Sequence, residues 1–188
     1  FFFCTAHAGM QQQLLIGSPN TNASPHSLAP LSSLTIAENE AIGSVVGEFN
    51  ATDPDTNASL TYHLVSGQGS SGNSLFNLDL NGSITSNAVF DFESNNSVSI
   101  RVQAKDEFNA TTEGNFTVSI SNVNEAPVIT QGPGPLSLTV AEDSSLSYDL
   151  NATDVDTATT LTWSVTGAVS NGTASIDSST GVFTYSPN

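Results

Sequence analysis

Two pairs of carboxylates recur at one spacing. Asp53 and Asp55 lie in FNATDPDTNASLTYHLVSG (49–67), and Asp154 and Asp156 in LNATDVDTATTLTWSVTG (150–167). Side chains at i and i+2 of a strand share a face, and where the strand opens into a turn they converge with neighbouring oxygens on one hard cation. Calcium takes about six to eight oxygens, so one Asp-x-Asp pair leaves a site unfinished. Other acidic or amide residues at strand ends are candidates to complete it: Glu38 in IAENE, Asp91 and Glu93 in FDFES, Asp106 in AKDE, and Asn122, Asn124 and Glu125 in NVNEAP. Each Asp-x-Asp alone reads equally as a turn cap, and an acidic surface as merely solvated. The joint set favours calcium, because carboxylates about 4 Å apart repel by roughly 4 kcal/mol per pair at an effective dielectric near 20. An EF-hand loop does not fit: its glycine and twelfth positions fall on Ala58 and Leu64 in the first copy, and on Thr159 and Val165 in the second.

Composition narrows the function further. Ten Asp and eight Glu face one Arg (Arg101) and one Lys (Lys105), for a formal charge of −16, which excludes nucleic acid as a partner. Of the three histidines His7 falls in the signal-like start, His26 in the leader and His63 in the strand-like LTYHLV, and no Gly-x-Ser-x-Gly, phosphate loop or His-Glu-x-x-His occurs. Catalysis is not expected. No run of 18 apolar residues is present to span a membrane. The start, FFFCTAHA (1–8), pairs an apolar run with Ala-x-Ala and reads as the remnant of an export signal. Cys4, the only cysteine, lies inside it, so the mature chain is expected to hold no disulfide. Nine Asn-x-Ser/Thr sites follow, at Asn22, Asn50, Asn57, Asn81, Asn95, Asn109, Asn115, Asn151 and Asn171; they mark Asn-rich turns first and glycan acceptors second.

The elements that must position the acids read as short strands. Residues 9–32, with three prolines and no sustained period, read as a leader or linker. From residue 33 apolar and polar residues alternate in SLTIAE (33–38), SVVGEFNAT (44–52), SLTYHLVS (59–66), LFNLDL (75–80), SVSIRVQAKD (97–106) and NFTVSISNV (115–123). In the fifth run Val98, Ile100, Val102 and Ala104 form the inward set, leaving Arg101, Gln103 and Lys105 toward solvent. Such a run of strands without a helix argues for an all-β, antiparallel Greek-key sandwich of immunoglobulin-like type. A second copy starts after the Pro/Gly-rich APVITQGPGP (126–135). The expected division is therefore module one at 33–130 and a partial module two at 131–188, with the natural chain continuing because half a sandwich leaves strand edges unpaired.

The segments AEN, ATDPD, FDFE, VQAKDE and NVNEAP, in that order within one hundred-residue module, resemble the cadherin repeat, and 138–188 resembles the first half of another, nearer the bacterial cadherin-like type. The resemblance implies tandem sandwiches with Ca2+ between them. It would place one shared site on Glu38, Asp91, Glu93, Asn122, Asn124, Glu125, Asp154 and Asp156, and a weaker N-terminal site on Asp53, Asp55 and Asp106. Asn122 stands where the family linker usually has Asp, Glu125 where it has a second Asp, and the linker is one residue short, which implies fewer charges and weaker affinity. The implied function is a calcium-dependent extracellular adhesion or stalk module at the cell surface, with other adhesion modules or surface glycans and proteins as partners. A carbohydrate-binding accessory module, favoured if Tyr62, Trp163 and Tyr185 were exposed on one sheet, and a metal-free spacer are the alternatives.

Overall fold

The computed structural model describes residues 21–188. The expected signal remnant at 1–8 with Cys4 and His7, and the part of the leader up to residue 20, lie outside the described residues. Alternation dictates the first module. Strands β1 (His26–Pro30), β2 (Thr35–Ala37), β3 (Val45–Thr52), β4 (Thr61–Leu64), β5 (Phe76–Leu78), β6 (Ser83–Ser86), β7 (Ser97–Lys105) and β8 (Thr111–Ser121) form two four-stranded sheets, ordered β1-β3-β6-β5 and β2-β8-β7-β4. Pairing is antiparallel except for β2, which runs parallel to β8 with Ile36 opposite Ile120.

Packing divides the chain into two compact units. One takes the described residues up to Leu34 with Gly43–Asn87 and Ser99–Val118; the other takes Thr35–Ile42, Ala88–Val98 and Ser119–Asn188. The first unit owns a dry core. Phe49, Ile84, Ile100, Val102 and Val118 are essentially fully buried there, with Tyr62 and Phe76 beside them. Phe49 and Phe116 meet edge to face at 4.9 Å, the geometry that their ring quadrupoles favour. The inward set of β7 is as the alternation requires, since Ile100, Val102 and Ala104 are 0 % exposed and Val98 7 %.

One stretch departs from the sequence reading. His26–Pro30, inside the expected leader, is β1, an edge strand paired with β3 as His26 to Thr52 and Pro30 to Phe49. Its period is hidden by an irregularity between His26 and Ala29, where Ser27 takes φ 56°, and prolines are tolerated because an edge strand has one unpaired side.

The second unit contains a repeat of half this design. Strands β9 (Val128–Ile129), β10 (Leu146–Asp149), β11 (Ala152–Thr153), β12 (Gly172–Ile176) and β13 (Val182–Pro187) pair as β11-β9 and as β10-β13-β12. The turn before β6 and the turn before β13 are built alike. Gly82 (φ 99°) and Gly181 (φ 75°) each lie where an added Cβ would fall 2.5 Å from a carbonyl oxygen, of Phe49 and Leu150 respectively. An aromatic ring closes over each glycine, Tyr62 over the first and Trp163 over the second. Only glycine accepts both that φ and that approach.

Burial separates the two designs sharply, and so do their expected stabilities. Ile100→Ala is expected to lower stability by about 2–5 kcal/mol, the usual cost of an unfilled core site. Leu146→Ala, at a half-exposed position, is expected to cost about 1 kcal/mol or less. Urea denaturation followed by far-ultraviolet circular dichroism separates the two outcomes.

Candidate metal centre

Glu38 directly follows β2 and is 3 % exposed. Both of its carboxylate oxygens accept backbone protons, Oε2 from Phe92 N at 2.7 Å and Oε1 from Val123 N at 2.8 Å. A charge-assisted pair of this kind tolerates burial that an unpaired carboxylate does not. The bonds also fix two distant stretches of chain around one side chain. On that frame carboxylate oxygens of Glu38, Glu93 and Glu125 lie within 4.8 Å of one another.

Neighbours extend the group. Asn122 Nδ2 donates to Glu93 Oε1 and to Asp156 Oδ1, both at 2.9 Å, and Glu125 N donates to Asp156 Oδ2 at 2.8 Å. Asp156 N in turn donates to Asp154 Oδ1 at 3.0 Å, the Asx-turn bond that pins one carboxylate of each Asp-x-Asp pair to its own backbone. A hollow of about 240 Å³ is lined by Glu38, Asn39, Asp91, Glu93, Glu125 and Val155. Asp91 faces it, but its oxygens accept from Ser94 N and Ser94 Oγ at 2.9 Å. Asn124 Nδ2 donates to the Glu125 carbonyl, leaving that amide engaged within the linker.

Asn39 was not among the expected residues. It takes φ 61° and its Nδ2 donates to Glu125 Oε1 at 2.5 Å. Its signal in the sequence is modest: an Asn directly after Glu38, of the residue type that enters the left-handed region most readily after Gly.

The electrostatics are one-sided. Arg101 and Lys105 both belong to the other unit, where Arg101 Nη2 bridges Glu113 at 2.6 Å. No Lys, Arg or His falls among Thr35–Ile42, Ala88–Val98 and Ser119–Asn188. Loss of hydration, and then the negative charges of Glu38, Glu125 and Asp156, push the Glu93 carboxyl above its ordinary value. Asp91 moves the other way, held low by the Ser94 N–H and then its hydroxyl. Glu125 Oε2 is buried without a hydrogen-bond partner. An ionised oxygen left in that state is costly unless something positive meets it. All-oxygen donors of this kind suit a hard divalent cation, and the Glu38, Glu93 and Glu125 cluster has the ligand types to coordinate one.

The expected N-terminal residues lie in the first unit and are arranged differently. Asn22 Nδ2 donates to Asp106 Oδ2 at 2.8 Å, Ala23 N to Asp55 Oδ2 at 2.7 Å, and Asp55 N to Asp53 Oδ1 at 2.8 Å. Asp106 Oδ1 accepts from Phe108 N and Ala110 N. Burial works against its charge, but the hydrogen bonds from Asn22, Ala110, Phe108 and Asn109 outweigh it and hold the carboxyl below its ordinary value. Asp53 Oδ2 is buried without a partner. Among the described residues these three aspartates do not converge as the three glutamates do. The segment TNASP (21–25) stands to this group as VNEAP (123–127) stands to the other, because Ala23 N and Glu125 N each donate to the second Asp of a pair. Ala23 brings no carboxylate where Glu125 brings one.

With the geometry in place, family comparison assigns both halves. Residues 32–121 match the cadherin domain model and 124–188 a bacterial Ig domain model. The chain carries a cadherin domain followed by a bacterial Ig domain. No curated protein sequence matches it. Among solved structures, human protocadherin-24 EC1-2 is similar with TM-score 0.64 and 17 % identity over 89 % of this chain and 79 % of that one. The protocadherin gamma B4 extracellular domain gives 0.56 and 21 % over 87 % and 29 %, and protocadherin gamma B2 extracellular cadherin domains 3–6 give 0.54 and 20 % over 87 % and 45 %. At these identities the likeness is one of fold, and the chain spans less than half the length of the two gamma protocadherins.

The raised Glu93 carboxyl has a defined sign. The folded state binds its proton more tightly than the unfolded state, so in chelator this group's contribution falls as pH rises from its ordinary 4.5 through the raised value. Glu93→Gln is expected to remove that downward component. Thermal melting of both proteins from about pH 4 to 7 checks it, read as the difference between the two curves because Asp91 and Asp106 contribute with the opposite sign.

Proposed function

We propose that this chain is part of an extracellular, cell-surface adhesion or stalk protein whose cadherin domain uses Ca2+ to lock the 122–125 linker. Glu38, Glu93 and Glu125 are the core ligands in this reading. Asp91, Asn122, Asn124, Asp154 and Asp156 are the further oxygen donors available to fill a coordination shell. The observation that carries it is the convergence of three carboxylates around the buried, unpartnered Glu125 Oε2, with no basic side chain in the same unit. The ion supplies the missing positive charge. A linker tied at both ends resists bending, which suits tandem modules that must project a binding surface away from a cell. Other adhesion modules, or glycans and proteins on a facing surface, are the partners this architecture fits. Asp53, Asp55 and Asp106 form a weaker candidate site, because amide protons from Asn22 and Ala23 already satisfy part of their charge.

The carbohydrate-binding alternative loses one of its three aromatics. Tyr62 is 5 % exposed, and its hydroxyl accepts from Ala51 N at 2.9 Å inside the core. Trp163, over Gly181, and Tyr185 are half-exposed.

Calcium titration of thermal unfolding tests the proposal. Sites in extracellular modules bind at about 10⁻⁴–10⁻³ M, and ligand at a hundred times its dissociation constant stabilises by about 2.7 kcal/mol. The wild-type chain is expected to gain stability across this range. Glu93→Gln combined with Glu125→Gln is expected to abolish the gain, and Asp154→Asn combined with Asp156→Asn to reduce it. Absence of any calcium-dependent shift in the wild-type chain leaves the metal-free spacer as the better account.

A further inference from the structure

Two Asn-Gly steps occur in the chain, Asn81–Gly82 and Asn171–Gly172. In such a step the glycine nitrogen, with no side chain to shield it, can attack the asparagine side-chain carbonyl and close a cyclic imide. Attack needs an N–H free to lose its proton and a side chain free to swing onto it. The fold treats the two steps in opposite ways.

Asn81–Gly82 is locked. Gly82 N donates to the Asp79 carbonyl at 3.1 Å, and Asp79 Oδ1 accepts from Asn81 N and Ser83 N at 2.9 Å. The Gly82 nitrogen is thus held within the turn, and the adjacent carboxylate opposes any negative charge developing on it. The close approach of Gly82 to the Phe49 carbonyl, under the Tyr62 ring, keeps the turn in that form.

Asn171–Gly172 is open. Asn171 is exposed, and among the described residues no hydrogen bond engages its side-chain amide. Its main-chain carbonyl accepts from the Tyr185 hydroxyl at 2.8 Å and from Asn188 N at 3.2 Å. Gly172 begins β12, an edge strand of its sheet, and stands opposite Pro187. Proline has no N–H, so this pair does not exchange ladder bonds; the Asn188-to-Asn171 bond beside it marks the non-bonded kind of pair. Gly172 N therefore faces away from β13, toward the unpaired side of β12. The fold also requires this glycine, because a Cβ at 172 would fall 2.5 Å from the Ser186 carbonyl oxygen and 2.7 Å from the Tyr185 ring and hydroxyl.

We propose that Asn171 is a site of spontaneous deamidation assisted by the Tyr185 hydroxyl. The carbonyl that accepts from Tyr185 belongs to the same peptide unit as Gly172 N. When that N–H gives up its proton, the charge spreads onto an oxygen already held by a hydrogen-bond donor. The nitrogen attacks Asn171 Cγ, the bond from Cγ to Nδ2 breaks, and Nδ2 leaves as ammonia with the displaced proton. Water then opens the imide at either carbonyl, to aspartate or to isoaspartate. Either product adds a negative charge to a chain already at −16. Isoaspartate also lengthens the backbone where β12 begins, at the point where its register with β13 is set.

The test is incubation of the full 188-residue chain, unglycosylated, at mildly alkaline pH, followed by peptide mapping with mass spectrometry and enzymatic methylation of isoaspartate. In the folded chain Asn171 is expected to convert to both acids while Asn81 stays intact. In denaturant the two sites are expected to convert at similar rates, since both are then plain Asn-Gly steps. Tyr185→Phe is expected to slow conversion at Asn171 by roughly two- to tenfold in the folded chain, the effect of one hydrogen bond, and to change nothing in denaturant. The proposal is overturned if Asn171 survives in the folded chain under conditions that convert it in denaturant, or if folded Asn81 converts as fast as Asn171. An unchanged rate in Tyr185→Phe that keeps its β circular dichroism also overturns it. If that variant does not fold, the wild-type comparison of Asn171 with Asn81 decides alone.

Discussion

Two backbone amides, those of Phe92 and Val123, close on the buried carboxylate of Glu38. This constraint organises everything around it. It ties the end of β2 to the 88–98 segment and to the start of the linker, which brings Glu93 and Glu125 to the same spot. The price is a concentration of negative charge in a unit without a basic residue. Hydrogen bonds absorb part of it, through Asn39, Asn122 and Ser94. What they leave over, the bare Glu125 Oε2 and the destabilised Glu93 carboxylate, is the physical motive for a cation.

The same chain handles the second acidic group by other means. Around Asp53, Asp55 and Asp106 the incoming segment supplies amide donors and no carboxylate, so repulsion is lower and less counter-charge is needed. Two groups that look alike as motifs therefore differ in chemistry because of one linker position, Ala23 against Glu125. The contrast recurs in the scaffold. Gly82 with Tyr62 and Gly181 with Trp163 repeat one arrangement of glycine, carbonyl and ring, yet one aromatic is buried under a complete sandwich and the other lines an open slot.

Strands with strong alternation were legible in advance. Runs at 44–52 and 97–106 became β3 and β7 within a residue at each end, because one face meets a core and the other meets water. β1 was not legible, since a positive φ at Ser27 and prolines just before the strand and at its last residue erase its period. β6, a strand of four residues directly after Gly82, is too short for alternation to announce itself. The cluster was partly legible: carboxylates at strand ends are visible in sequence, but Asn39 acts through a left-handed backbone and a single short bond.

Sequence alone determined the all-β class, the repeat, the acidic character and the inward set of β7, because these follow from residue type and a period of two. The tertiary structure decided which carboxylates converge and which are neutralised locally. It also decided that Leu34 is buried and Leu138 open despite identical neighbours. Convergence and burial depend on what packs opposite a residue, and that partner is set by contacts between segments distant along the chain.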